Sequence, residues 1–106
     1  KKALLIIDVQ NEWLDKSSRF YLRGVKTLLP RINKLIDIVT KKLLNNIYHA
    51  RRRQVLQAFK KGTKNVEIIS DLHKETQDKL IKKFKISPFF KTNLDKELRG
   101  IKEVVI

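Results

Sequence analysis

The chain opens with a run of apolar residues that ends in an acid. Residues 3–7 read Ala-Leu-Leu-Ile-Ile, and Asp8 follows directly. An apolar run this short, bounded by a polar break, predicts a buried strand over residues 3–8. A carboxylate at the end of a buried strand is costly unless it has a partner. Asp8 is therefore a candidate functional residue.

A change in the spacing of apolar residues along the chain predicts the longest helix. From Leu28 to Leu43, apolar side chains recur every three or four residues, which defines one face of an amphipathic helix. Thr27 is the predicted N-cap, and Pro30 would then lie in the first turn, where proline is tolerated. The pair Asn45-Asn46 is predicted to end this helix.

The remaining segments give shorter signals. Residues 47–50, 80–84 and 103–106 predict strands, and residues 92–100 predict a short helix that begins at a Thr and ends at a Gly. Strands that alternate with helices favour a parallel sheet with right-handed crossovers. Sites in such sheets form at the carboxyl ends of the strands, and Asp8 and Lys83 are expected to converge there from neighbouring strands.

Composition adds a strong positive charge. The net charge is +14 and the pI is about 10.3, which leaves two interpretations open: a lysine-rich proteome, or contact with RNA or another polyanion. Residues 41–64 carry eight Lys or Arg and no acid. Two interpretations of this segment are open. It is either a solvated basic loop or a phosphate-binding surface, whose binding would be independent of RNA sequence and sensitive to salt. The candidate RNA-binding residues are Arg51, Arg52, Arg53, Lys60, Lys61 and Lys64.

Several classes of site and partner are excluded or disfavoured. The chain has no cysteine, which excludes disulfides, thiolate zinc sites and a cysteine nucleophile within these 106 residues. No apolar run approaches the roughly 18 residues of a membrane span, so no membrane partner is predicted. His49 and His73 have no neighbour at ligand spacing, and both are expected at the surface.

Four segments, in order, resemble the motifs of one enzyme family. Residues 3–11, ALLIIDVQN, look like its opening strand, and residues 29–35, LPRINKL, are similar to its first helix. Gly62-Thr63, followed by Glu67-Ile68 and Leu72, resembles a "GT…EI…L" segment. Residues 81–94, IKKFKISPFFKTNL, resemble a motif with a lysine four residues before a serine, although Pro88 replaces the usual small residue. The family that these segments resemble is the isochorismatase-like cysteine hydrolases, which include isochorismatases and nicotinamidases.

The resemblance implies a fold, a chemistry and two site residues. The fold would be a three-layer α/β/α sandwich with a mostly parallel sheet, formed by residues 1–106 as a single domain that is incomplete on its C-terminal side. Family chemistry combines an aspartate, a lysine and a cysteine, and the first two match Asp8 and Lys83. In the family, the cysteine follows the strand that here ends at Ile106, so this chain would lack the segment that carries it.

Two functional hypotheses follow. In the first, catalysis has been lost and the chain is a basic, RNA-contacting component of a large assembly, such as an organellar (mitochondrial) ribosome, with an intracellular location. In the second, the chain is the N-terminal part of an active cysteine hydrolase. In either case other proteins or further sequence would cover the incomplete sheet. Nicotinamidases hold a metal after the second strand, where this chain has one histidine and no acid, so no metal and no cofactor are predicted.

Overall fold

A computed structural model describes residues 2–43, 47–53 and 58–106 of the chain. Its sheet has four parallel strands in the order β3-β2-β1-β4, where β1 is Lys2–Ile7, β2 is Ile47–Arg52, β3 is Lys79–Lys83 and β4 is Glu103–Val105. Two α-helices accompany it, α1 over Val25–Leu43 and α2 over Leu94–Glu97, with short 3-10 helices at Asn11–Leu14 and Lys64–Val66. The predicted parallel α/β architecture is therefore confirmed.

Alternation along β1 divides the core into two clusters. Leu4 and Ile6 pack with α1 residues such as Ile36 on one face of the sheet. Ala3 and Leu5 face the opposite way and pack with Leu94 of α2. Because successive strand residues point to opposite faces, a wholly apolar strand supplies both clusters. The result is a helix layer on each side of the sheet.

The longest helix begins three residues earlier than its sequence predicts. Val25 is its first residue, and the amide of Leu28 donates to the carbonyl of Gly24 at 3.0 Å. The predicted Thr27 N-cap is therefore wrong, and Pro30 lies in the second turn, where it cannot donate to a preceding carbonyl. Leu35, predicted on the buried face, is exposed. The predicted stop at Asn45-Asn46 falls outside the described residues.

The other elements differ from prediction mainly at their ends. β2 continues to Arg52, two residues past the predicted strand, and the second helix is limited to Leu94–Glu97. In β4, Val104 and Val105 are exposed, as expected for a strand at the edge of the sheet. In the described part of the chain, no helix has both the length and the apolar character needed to cross a membrane.

Candidate active site

Asp8 is placed at the carboxyl end of the sheet by an unusual backbone conformation. Its amide continues the β1–β2 ladder by donating to the carbonyl of Ala50 at 2.9 Å. Its φ angle is 62°, in the left-handed region that Asp and Asn tolerate better than most residues. Ile6 faces the α1 side, and strand alternation would point Asp8 the same way. The left-handed backbone at Asp8 instead turns the Asp8 carboxylate to an ion pair with Lys83.

Lys83 is the last residue of β3, and its side chain is only 1% exposed. Its Nζ lies 3.1 Å from Asp8 Oδ1 and donates to Asp8 Oδ2 at 3.2 Å. The same ammonium donates to the carbonyls of Ile86 at 2.8 Å and Lys85 at 3.3 Å. A buried ammonium needs an opposite charge and several acceptors to offset its desolvation, and Lys83 has both. Asp8 and Lys83 are thus brought together, as the sequence predicts.

The pair differs in one respect from that expectation. The two residues do not lie on neighbouring strands, because β2 stands between β1 and β3. The ion pair therefore spans the carboxyl end of β2, whose last residue is Arg52. Asp8 Oδ1 is buried and lies 3.1 Å from Lys83 Nζ, without a well-aligned hydrogen bond among the described residues.

Gln10 is a buried residue of this region that sequence reasoning missed. Its side chain is fully buried, and its Nε2 donates to the carbonyls of Arg52 at 2.8 Å and Val66 at 2.7 Å. Its Oε1 accepts from the amide of Arg52 at 2.9 Å. The amide therefore fixes the end of β2 and ties it to the 3-10 helix at Lys64–Val66. Its place two residues after Asp8, within the resembling strand, was the signal that could have identified it.

The six predicted RNA-binding residues occupy different environments. Arg51 donates to Glu67 at 2.9 Å, and the guanidinium of Arg53 lies 4.7 Å from the centre of the Phe84 ring. By contrast Lys60, Lys61 and Lys64 are all exposed. Two of the three arginines thus have partners within the protein, whereas the lysines face solvent.

His49 lies in the core and not at the surface, so the sequence-based expectation is wrong. It is fully buried in β2, and its Nε2 lies 3.1 Å from Oδ2 of the buried Asp78. Its Nδ1 has no hydrogen-bond partner among the described residues. Burial lowers the pKa of His49 from its usual 6.5, although the hydrogen bond and charge of Asp78 oppose that effect. His73 is exposed, as expected, and pairs with Asp37.

The buried His49 should make the stability of the chain depend on pH. Its folded-state pKa lies below the unfolded value, so the unfolded chain binds a proton more readily as the pH falls. As the pH falls below about 6.5 we expect the free energy of unfolding to decrease, by at most roughly 1.4 kcal/mol per pH unit. Urea unfolding over this range measures it.

His49→Gln keeps a neutral side chain that can donate to Asp78, and it should flatten that pH dependence. His73→Gln is the matched control, since it removes the other, exposed histidine. A slope that persists in His49→Gln and disappears in His73→Gln would contradict the assignment.

Among the residues that the structure describes, no group of three or more His, Asp or Glu side chains could hold a metal ion. The carboxyl end of the sheet instead places the carboxylate of Asp8 beside the ammonium of Lys83. This arrangement can hold a proton acceptor beside a positive charge, which is the environment that activates a thiol.

Comparisons with known proteins agree with this geometry. A family model described as the isochorismatase domain matches residues 2–106. A probable inactive nicotinamidase of Arabidopsis thaliana is 27% identical over a match 124 residues long. The match covers 98% of this chain and 63% of that protein.

Solved structures show the same fold. A putative isochorismatase hydrolase from Oleispira antarctica is 26% identical with a TM-score of 0.86, covering 99% of this chain and 58% of that one. An isochorismatase-like hydrolase from Alkaliphilus metalliredigens is 24% identical with a TM-score of 0.83. The match covers 98% of this chain and 64% of that one. The chain thus spans about three fifths of the length of these relatives.

Proposed function

The chain belongs to the isochorismatase family, and from that premise we propose that it carries the aspartate–lysine part of a cysteine hydrolase site without the nucleophile. The observation that supports this proposal is the ion pair between Asp8 and the buried Lys83. By the resemblance of residues 3–11 and 81–94 to the family's motifs, Asp8 and Lys83 match positions that the family uses for chemistry. No residue of the 106 is a cysteine, so these residues alone lack an acyl-accepting thiol.

The two groups have defined roles if a cysteine from outside these residues enters the site. The ammonium of Lys83 would lower the pKa of that thiol, and the carboxylate of Asp8 would accept its proton. The thiolate would then attack the carbonyl carbon of an amide, and the proton held by Asp8 would pass to the departing amine. Water would hydrolyse the resulting thioester. Nicotinamide is a reasonable test substrate, because the Arabidopsis relative is named for it.

The 106-residue chain should therefore show no turnover of its own. Release of ammonia from nicotinamide, and loss of isochorismate, are expected at the rates of buffer alone. Asp8→Asn is the control, since it removes the proton acceptor while tolerating the same backbone conformation. Turnover by the native chain that Asp8→Asn lowers would contradict the missing-nucleophile proposal.

A second candidate function is supported by charge. The net charge of +14 and the exposed Lys60, Lys61 and Lys64 favour a phosphate-binding surface, as in a structural component of a ribonucleoprotein. An organellar ribosome is one such setting. The lysines are the better candidates for contacts with RNA, because Arg51 and Arg53 already have protein partners.

Salt dependence tests this candidate. Affinity for single-stranded RNA should fall by about 0.7 log units per phosphate contact for each log unit of salt. Replacing Lys60, Lys61 and Lys64 together by glutamine should reduce that slope by about two, for any RNA sequence. The matched control replaces Lys26, Lys34 and Lys96, which are equally exposed. Binding that is unaffected by salt, or equal losses in both triple variants, would exclude the lysine surface.

A further inference from the structure

Three phenylalanines of one short segment are left in solvent. Residues 84–91, called here the aromatic segment, follow β3 directly, and Phe84, Phe89 and Phe90 within it are 45%, 46% and 49% exposed. The other two phenylalanines of the chain, Phe20 and Phe59, pack against each other with their ring centres 5.2 Å apart. Exposed aromatic side chains that are grouped in this way mark a contact surface.

Hydrogen bonds hold the aromatic segment in one shape. The buried ammonium of Lys83 donates to two of its backbone carbonyls, which ties the start of the segment to the end of β3. Ser87 closes the next turn, since its Oγ accepts from the amide of Phe89 at 3.2 Å and its carbonyl accepts from the amide of Phe90 at 3.4 Å. A surface that is ordered beforehand loses less entropy when a partner binds.

The surroundings of these rings are positively charged. Residues 79–94 include five lysines and no acid. Two of the five are paired with carboxylates elsewhere in the fold. The other three are exposed and form no ion pair within the described ranges, and they are Lys82, Lys85 and Lys91. This charge favours a polyanion as the partner.

Two cations lie over the rings themselves. The guanidinium of Arg53 is 4.7 Å from the centre of the Phe84 ring, and the ammonium of Lys91 is 5.5 Å from the centre of the Phe90 ring. Insertion of these rings into lipid or into an apolar protein surface would remove both cations from water, which costs free energy. A nucleotide strand avoids this cost, because it offers a flat base to a ring and a phosphate to the adjacent cation.

We propose that the aromatic segment binds single-stranded RNA by stacking unpaired bases on its three phenylalanines. The phosphates of the strand would lie against the three exposed lysines. This inference rests on the RNA-binding candidate of the proposed function, and it adds a second surface that recognises bases. Bases that are paired within a duplex cannot be splayed onto protein rings, so the partner is single-stranded.

Oligomers that share their phosphates and differ in their bases test the proposal. An oligouridylate and an abasic oligomer of the same length are titrated into the 106-residue chain at one salt concentration, and fluorescence anisotropy reports binding. We expect the oligouridylate to bind about tenfold or more tightly, since each stacked base contributes a factor of about five or more. The ring ¹H resonances of the phenylalanines should move upfield with the oligouridylate alone.

Matched variants separate stacking from apolar contact. Phe89→Leu combined with Phe90→Leu keeps apolar side chains and removes both rings, and it should lower the affinity for oligouridylate about tenfold. The abasic oligomer and the salt dependence should be unaffected, because no charge changes. Phe89→Tyr combined with Phe90→Tyr keeps the rings and should retain the affinity.

Ile38→Ala is the control for exposed apolar surface, since Ile38 is 45% exposed on α1, and it should leave the affinity unchanged. Backbone amide spectra establish that each variant is folded. Equal affinities for the oligouridylate and the abasic oligomer, no binding of either, or equal affinities in the leucine and tyrosine variants would overturn the proposal.

Anionic phospholipid vesicles are the third probe. Binding to vesicles and not to oligouridylate would replace the RNA with a membrane surface and also overturn the proposal. Failure of this inference is distinguishable from failure of the proposed function. A chain that shows the salt dependence of the lysine surface but no preference for bases keeps the phosphate-binding candidate and loses this inference, and turnover on nicotinamide decides the hydrolase proposal without reference to RNA.

Discussion

Lys83→Met is expected to lower the free energy of unfolding by about 3 kcal/mol. The substitution keeps most of the buried aliphatic chain and removes only the ammonium. It leaves the carboxylate of Asp8 without its counter-ion and the carbonyls of Lys85 and Ile86 without their donor. Breaking a buried ion pair by removing one partner is among the most damaging single changes a small domain can undergo. Urea denaturation at constant pH measures the loss.

Lys82→Met is the matched control for this prediction. Lys82 precedes Lys83 in β3, but it is exposed on the other face of the sheet. Its replacement should change stability by no more than about 0.5 kcal/mol. Similar losses in the two variants would mean that Lys83 is no more important to the fold than any lysine of this strand.

Gln10→Leu should have an effect of similar size, a loss of about 2–4 kcal/mol in the free energy of unfolding. Leucine fits the volume of glutamine but leaves three backbone groups unpaired, the amide and carbonyl of Arg52 and the carbonyl of Val66. Each buried polar group that loses its partner carries the full cost of desolvation. The end of β2 should also loosen, which amide hydrogen exchange at Arg52 would report.

Asn11→Ala provides the comparison for Gln10. Asn11 is the next residue, and its Nδ2 donates to the carbonyl of Lys64 at 2.9 Å in an exposed position. Water can replace that bond, so its loss should cost less than about 1 kcal/mol. A Gln10→Leu variant no less stable than Asn11→Ala would show that burial of the glutamine amide is not what fixes the strand end.

Local patterns predicted the elements, because these depend on short-range signals such as the apolar run before Asp8 that defines β1. The ion pair also needed the family resemblance, since only the family motif, with a lysine four residues before a serine, selects Lys83 from its cluster. Parallel strands then bring the carboxyl ends of β1 and β3 to one edge of the sheet, where the two residues converge.

Features set by long-range packing were not predicted. His49 has no local signal of burial, since its partner Asp78 is 29 residues away. The arginine run was interpreted as one surface, because residues 51–64 had no predicted element. Once β2 continues to Arg52, alternation directs Arg51 and Arg53 to one face and Arg52 to the other. A strand boundary that moves by two residues thus changes the interpretation of a whole charge cluster.

A double-mutant cycle on Asp8 and Lys83 tests the central claim most directly. Asp8→Asn, Lys83→Met and the double variant are unfolded in urea under the same conditions. If the two side chains form the buried pair that the site requires, the coupling energy should be about 1–3 kcal/mol, and the double variant should be more stable than the sum of the single losses indicates. A coupling energy indistinguishable from zero would contradict the claim that Asp8 and Lys83 act as one site.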